Sequence, residues 1–290
     1  MNNPLDSKIR LALPKGHIQD AVFQLLSDAG IQVHQHSRDY RPSFSMPEYE
    51  VKILKPQSIA QMLDMGAREI GFTGADWVKE LDADLELLLD TNLDPVRLVA
   101  AAPPSVLENG ELPDRSCVVA SEFERITKQW IRENDLNATF LPSYGATEVY
   151  PPEDADCIVD VTETGATLRA NNLQVFDELM SSSTCLYAHP KVLNNPDKKE
   201  VIDRFVILLQ SVLEARKRVM VEVNVSKENL DKMIEVLPAM RKPTVSSLHE
   251  EEGYAVKAAV RRKKLPRLVP RMKEQGGTDI VVSELSQIMT

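Results

Sequence analysis

The segment ADCIVDVTETGATLRANNL (155–173) brings together the residue types best suited to chemistry. Its apolar run CIVDV reads as a buried strand that carries Asp160 towards its carboxyl end, and Thr164-Gly165-Ala166-Thr167 follow at once. Ligands of open α/β sheets sit at the carboxyl ends of strands. Gly165 allows a sharp turn and a close approach of backbone to ligand. The hydroxyls of Thr164 and Thr167 add donors to the loop amides, a nest suited to a phosphate. Asp160 or Glu163 can then accept hydrogen bonds from sugar hydroxyls or hold Mg²⁺. The same string also fits an ordinary strand–turn–helix connection with a threonine cap, so alone it does not decide.

Other chemically able residues are sparser. His34 and His36 lie two apart on one face of a possible strand, but no third ligand accompanies them, which favours an exposed strand edge over a metal site. RRKK (261–264) lacks interleaved aromatics, so a solvated or inter-subunit face is favoured over nucleic acid. Trp77 and Trp130 read as core. Cys117, Cys157 and Cys185 are scattered in apolar contexts without metal-ligand spacing, which predicts free thiols in a reducing compartment. No nucleophile–His–Asp arrangement stands out.

The elements that must position these residues alternate between strand and helix. KIRLALP (8–14), YEVKILKP (49–56), EIGFTGADWV (69–78, running into a turn), RLVAAAPP (97–104), SCVVASE (116–122), ATFLPSYGATEVY (138–150, with a glycine turn) and ADCIVDV (155–161) read as strands. Residues 17–29, 58–67, 123–135 and 201–218 read as helices, and LQVFDELM (173–180) and STCLYAHP (183–190) continue the pattern. Such alternation predicts mostly parallel sheets covered by helices. From residue 218 the order becomes βαββαβ, the ferredoxin-like module, a frequent small regulatory domain.

The 290 residues suit two domains, one of them divisible by an insertion. Charge changes sign near Arg216: residues 1–215 carry a net −15 and residues 216–290 a net +5, for −10 in all. The acidic balance argues against nucleic acid bound through general basicity. No apolar run approaches the length of a membrane span and no secretory signal is visible, so a cytoplasmic protein is expected.

Several segments together resemble the ATP phosphoribosyltransferase family of histidine biosynthesis. Residues 155–173 resemble its phosphoribosyl pyrophosphate loop. LALPKGHI (11–18), ILKPQSIAQML (53–63), EIGFTGADWV (69–78) and GATEVYP (145–151) resemble further family segments in the same order, and the tail resembles the regulatory domain of the family's long form. The resemblance implies an α/β fold with two periplasmic-binding-protein-like lobes, 1–97 with 187–215 and 98–186, followed by a regulatory domain at 216–290. It implies a Mg²⁺-dependent transfer joining ATP N1 to C1 of phosphoribosyl pyrophosphate. Asp160, Glu163, Thr164, Gly165, Ala166 and Thr167 would hold the ribose and 5′-phosphate. Lys15, Gly16, Lys55, Asp76 and Glu148 would line the ATP side. Histidine would act as inhibitor through Asn224, Thr244 and Ser246, in a homo-oligomer of dimers and hexamers. Lys55 stands where the family usually has Arg, Ser58 where Asp is usual and His17 where Arg or Ala is common. A solute-binding protein of the same two-lobed fold and a catalytically idle amino-acid sensor are the competing classes. The missing signal peptide counts against the first, and the intact 160–167 loop against the second.

Overall fold

The computed structural model describes residues 8–35, 40–240, 242–249 and 252–289. In chain order, β1 (Ile9–Pro14) turns at Gly16 into α1 (Gln19–Asp28), and the short strands β2 (Val33–His34) and β3 (Ser43–Phe44) pair with each other. Next come β4 (Tyr49–Leu54), α2 (Pro56–Asp64), β5 (Ile70–Gly74) and α3 (Ala75–Glu80). They are followed by β6 (Glu86–Ala102), β7 (Cys117–Ser121), α4 (Glu124–Glu133), β8 (Ala138–Pro142), β9 (Cys157–Thr162), α5 (Ala166–Ala170) and β10 (Gln174–Ala188). The chain ends with α6 (Pro190–Leu193), α7 (Pro196–Arg216), β11 (Arg218–Ser226), α8 (Leu230–Val236), β12 (Thr244–Ser247), β13 (Gly253–Arg261), α9 (Leu265–Glu274) and β14 (Thr278–Glu284). Two compact units result: Met1–Gln24 with Ile31–Ile202, and Leu25–Gly30 with Asp203–Thr290.

The first unit is built on an eight-stranded sheet in the order β4-β1-β5-β10-β6-β9-β7-β8. Strands β4, β1 and β5 run parallel, as do β9, β7 and β8. Between these sets, β6 and β10 pair antiparallel with each other and with β9 and β5. The sheet is therefore mixed, where strand–helix alternation predicts a mostly parallel one. The difference lies in β6 and β10, each a single long strand. Asp90, Asp94 and Pro95 break the apolar pattern of β6, so the sequence shows only its end. Register shifts around Ser182–Cys185 absorb the irregularity, and Asn92 and Asp94 take φ of 53° and 46°, a region these side chains tolerate.

Interior strands are near-continuous apolar runs because both faces are covered: Leu11, Ala12 and Leu13 of β1 and Cys157, Ile158 and Val159 of β9 are buried. Edge strand β4 alternates instead, burying Tyr49, Val51 and Ile53. The second unit holds an antiparallel sheet in the order β12-β13-β11-β14. Val219, Val221, Val223 and Val225 point to one face and pack with Met233 of α8 and Leu268 and Met272 of α9. Among the described residues no helix is long and apolar enough to cross a membrane.

Candidate active site

Strand direction decides where the loops of the first unit meet. Gly74, ending β5, pairs with Thr184 of β10. Thr162, ending β9, pairs with Arg97 of β6, which itself lies opposite Ser181 of β10. The carboxyl ends of the two parallel sets therefore address neighbouring positions on β10 from opposite sides. Loops after β1, β4 and β5 face loops after β7, β8 and β9 across the middle of the β6–β10 ribbon. That is the crevice in which open α/β sheets bind ligands.

On the β9 side, Gly165 takes φ +74°, and its amide donates to Thr162 Oγ1 at 2.9 Å. An added Cβ would meet Arg169 Nη1 at 2.9 Å, the end of a flexible side chain that can move aside, so it is the left-handed backbone that needs glycine here. Arg169 Nη1 also donates to Thr164 O at 3.0 Å, and Ala166 N donates to Thr164 Oγ1 at 3.4 Å. Glu163, Thr164, Ala166 and Thr167 are exposed. The first turn of a helix leaves its amides without intrahelical acceptors, so the opening of α5 presents N–H groups to solvent.

Asp160 accepts from Val161 N at 2.7 Å. Burial pushes its carboxyl up to about 6, the adjacent amide pulls against that, and the charges of Glu148 and Glu122 push further. Glu148 is half-buried in a single 3-10 turn, Thr147–Val149. That turn is fixed from within: Ala146 takes φ 50°, Ser143 and Thr147 share a buried hydroxyl hydrogen bond of 2.8 Å, and Ser143 N donates to Ser121 O at 3.0 Å.

On the other side, Lys15 N donates to Leu54 O at 2.8 Å and so stands at the joint end of β1 and β4. Its Nζ donates to Tyr40 Oη at 2.9 Å, which lowers the Tyr40 phenol below its usual range. Gly16 turns the chain with φ +95°. Lys55 is exposed and extended at the start of α2, ahead of Pro56, whose carbonyl accepts from Thr73 Oγ1 at 2.8 Å. Asp76 is the buried carboxylate here, only 6% exposed. Its Oδ1 accepts from Trp77 N at 2.8 Å, and its own amide donates to Ser182 Oγ at 3.0 Å. Burial raises its carboxyl, with these hydrogen bonds and the nearby His17 opposing. A Cβ on Gly74 would fall on Asp76 Oδ1.

Strand direction thus sets Lys15, Gly16, Lys55 and Asp76 on one side of the cleft, and Asp160, Glu163–Thr167 and Glu148 on the other. Sequence reasoning passed over Thr162, Ser182, Ser143 and Thr147, whose hydroxyls orient these loops, and Glu122, whose charge acts on Asp160. Hydroxyls of this kind leave no spacing signal. Asp76 lies inside a helix, α3, where the sequence suggested a turn, and Ala166 and Thr167 open α5 where it suggested a loop.

Asn224, Thr244 and Ser246 belong to the second unit. Asn224 and Ser246 both register with Ala255, and Thr244 with Lys257, so all three share the sheet face opposite the valine core. A hollow of about 200 Å³ touches Thr244, Met240, Lys242 and Lys257 but neither Asn224 nor Ser246. Asn224 Nδ2 donates instead to Asp279 Oδ2 at 3.1 Å. His34 is exposed in β2, and His36 lies outside the described residues. Arg262, Lys263 and Lys264 are exposed, with Arg262 paired to Glu284 at 3.0 Å. Trp130 is buried and donates to Asp177 Oδ2 at 2.7 Å. All three cysteines are free and buried.

Comparison with known proteins adds an independent line. The family model described as ATP phosphoribosyltransferase matches residues 55–211, and that of the HisG C-terminal domain matches residues 215–287. An ATP phosphoribosyltransferase of Pelotomaculum thermopropionicum is 37% identical over 289 residues, 97% of this chain and 99% of that protein. That of Chlorobaculum parvum is 36% identical over 286 residues, 97% of each. Among solved structures, an ATP phosphoribosyl transferase (HisG:HisZ) complex from Thermotoga maritima matches with a TM-score of 0.63 at 26% identity, over 71% of this chain and 98% of that one.

Proposed function

The chain belongs to the ATP phosphoribosyltransferase family in its long form, and from that premise we propose that catalysis takes place in the cleft at the middle of β6 and β10. The enzyme joins N1 of ATP to C1 of phosphoribosyl pyrophosphate and releases pyrophosphate, the first step of histidine biosynthesis. The observation that carries the placement is the convergence of the two sets of carboxyl ends on Ser181 and Thr184 of β10.

Positive charge develops at C1 as pyrophosphate leaves, so the protein's work is placement and electrostatics. Gly165, Ala166 and Thr167 hold the 5′-phosphate through backbone amides and the Thr167 hydroxyl, with Glu163 and Thr164 beside them. Asp160 in its ionised form accepts from the ribose hydroxyls and faces the developing positive charge. Lys15 and Gly16 meet the ATP phosphates from the opposite side. Lys55, Asp76 and Glu148 bound the space for the nucleotide, with Asp76 held rigid by Ser182 and the α3 amide. Among the described residues no three His, Cys, Asp or Glu side chains gather to hold a metal ion. The described residues thus offer no protein-built cation cage. Mg²⁺ would arrive on the substrate phosphates.

In this reading the two parallel sets form periplasmic-binding-protein-like lobes, 1–97 with 187–215 and 98–186. Residues 216–290 form a ferredoxin-like domain, supported by the strand order β12-β13-β11-β14. That domain takes histidine as inhibitor, with Thr244 as its nearest polar wall, in a cytoplasmic homo-oligomer. The direct test is pyrophosphate release from ATP plus phosphoribosyl pyrophosphate, with and without Mg²⁺, on the parent and on Thr167→Ala. Equal phosphoribosyl pyrophosphate binding by the two proteins removes the 160–167 loop from the site.

A further inference from the structure

Helix α4 opens without a side-chain cap of its own: Phe123 occupies the capping position and makes no such hydrogen bond. The cap comes from the other half of the sheet. Glu80, the last residue of α3, accepts from Arg125 N at 2.9 Å with one carboxylate oxygen and from Ile126 N at 3.0 Å with the other. Arg125 answers in the opposite direction, donating to Lys79 O at 3.0 Å and pairing with Asp82 at 2.7 Å. The Trp77 ring stacks on Phe123 with centroids 4.7 Å apart. Segment 77–82 follows β5, and segment 123–126 follows β7, so every one of these contacts crosses from one half-site to the other.

The chain position of the contacts matters. Trp77 directly follows Asp76. Phe123 directly follows Glu122, whose charge acts on Asp160. A carboxylate that caps a distant helix with both oxygens holds only at one separation, because hydrogen bonds weaken steeply beyond their usual length and angle.

We propose that Glu80 and Arg125 are positioning residues, a clamp that sets the distance between the Asp76 and Asp160 sides of the cleft before ATP enters. The proposal rests on the cleft being the active site. Neither residue touches substrate. The clamp's contribution is that ATP meets a cleft already at working distance, so the ordering cost falls on folding instead of on turnover.

The test uses the full chain with Glu80→Ala, Glu80→Gln, Arg125→Ala and Arg125→Lys. Phosphoribosyl pyrophosphate binding alone, by calorimetry, should stay within about twofold of the parent, since its loop lies within one half. With that substrate saturating, kcat/KM for ATP should fall roughly ten- to a hundredfold in the alanine variants. Glu80→Gln keeps one acceptor oxygen and Arg125→Lys keeps the charge, so each should recover part of the loss. An unchanged or raised kcat/KM in both alanine variants overturns the clamp. A parallel loss of phosphoribosyl pyrophosphate binding also overturns it, by showing that the contact merely supports the fold. The premise fails separately: if Thr167→Ala binds phosphoribosyl pyrophosphate like the parent, the cleft itself is misplaced.

Discussion

Asp160 is half-buried, and that partial burial opposes its charge together with two nearby carboxylates, while one backbone amide favours it. Its carboxyl is therefore pushed to about 6, against 3.8 for a free side chain. The folded protein then holds a proton that the unfolded chain releases between those values. Keeping Asp160 charged costs stability above pH 6, and the cost fades as pH falls towards 4. Two pKa units correspond to about 3 kcal/mol as an order of magnitude. We expect Asp160→Asn to raise Tm at pH 8 while leaving it nearly unchanged at pH 4. The same change should depress turnover at pH 8, because the ribose loses a charged acceptor, and matter little at pH 4, where Asp160 of the parent is already protonated. In the parent, kcat/KM for phosphoribosyl pyrophosphate should fall as pH drops through 6, and Asp160→Asn should flatten that limb. An equal Tm gain at both pH values would show that the stabilisation comes from packing and not from charge. The neighbouring loop yields a second expectation. Thr167→Ala and Gly165→Val should weaken phosphoribosyl pyrophosphate binding roughly ten- to a hundredfold, the second more, since a β-branched residue at φ +74° is strained. Calorimetry on folded variants reads this directly.

Lys55 caps the start of helix α2, with its side chain exposed and its backbone extended into Pro56. A lysine here offers a point charge where an arginine would offer a planar fork. Lys55→Ala should weaken ATP more than phosphoribosyl pyrophosphate, and Lys55→Arg should be tolerated or mildly favourable. Equal losses for both substrates would instead mark a shared cleft charge. At this scale the sequence was legible where a glycine or proline punctuates a strand end, as at Gly16, Pro56, Gly145 and Gly165. Those residues locate the loops, and the loops carry the site. It was illegible where an element departs from a simple period. Residues 86–96 hide a strand behind Asp90, Asp94 and Pro95, because bulges and left-handed residues let polar and proline positions remain in a ladder. The α4 opening hides its cap because Glu80 lies far off in sequence, and nothing in FERITKQW points to it. Ser182 and Thr162 are small hydroxyls whose work is done by position alone, so no pattern of residue types could mark them.

The whole chain joins an acidic catalytic region to a basic tail, and the tail's sheet has a face opposite the one on which α8 and α9 pack. On that face Asn224, Thr244 and Ser246 stand in register, yet Asn224 already spends its amide on Asp279, and only Thr244 borders the hollow with Lys242 and Lys257. A free amino acid needs donors for its carboxylate and an acceptor for its amine. Lys242 and the Thr244 hydroxyl can supply the first, Lys257 being already paired with Glu222 at 2.6 Å, and main-chain carbonyls along β12 and β13 can supply the second. Because the proposed effector site lies in a different unit from the proposed cleft, inhibition by histidine would have to arise from unequal affinity for two states of the protein, not from occupancy of the substrate site. Histidine should therefore lower turnover without a proportional rise in KM for ATP. Thr244→Ala should weaken histidine binding by roughly tenfold, the loss of one hydrogen bond to a charged group. Asn224→Ala should matter less, since it frees Asp279 without touching the hollow. Both variants should keep parent turnover in the absence of histidine. Calorimetry with histidine and initial rates at several ATP concentrations separate the outcomes. Parent-like histidine affinity in an active Thr244→Ala protein moves the effector site elsewhere on the tail, and a parent that binds no histidine removes the regulatory role altogether.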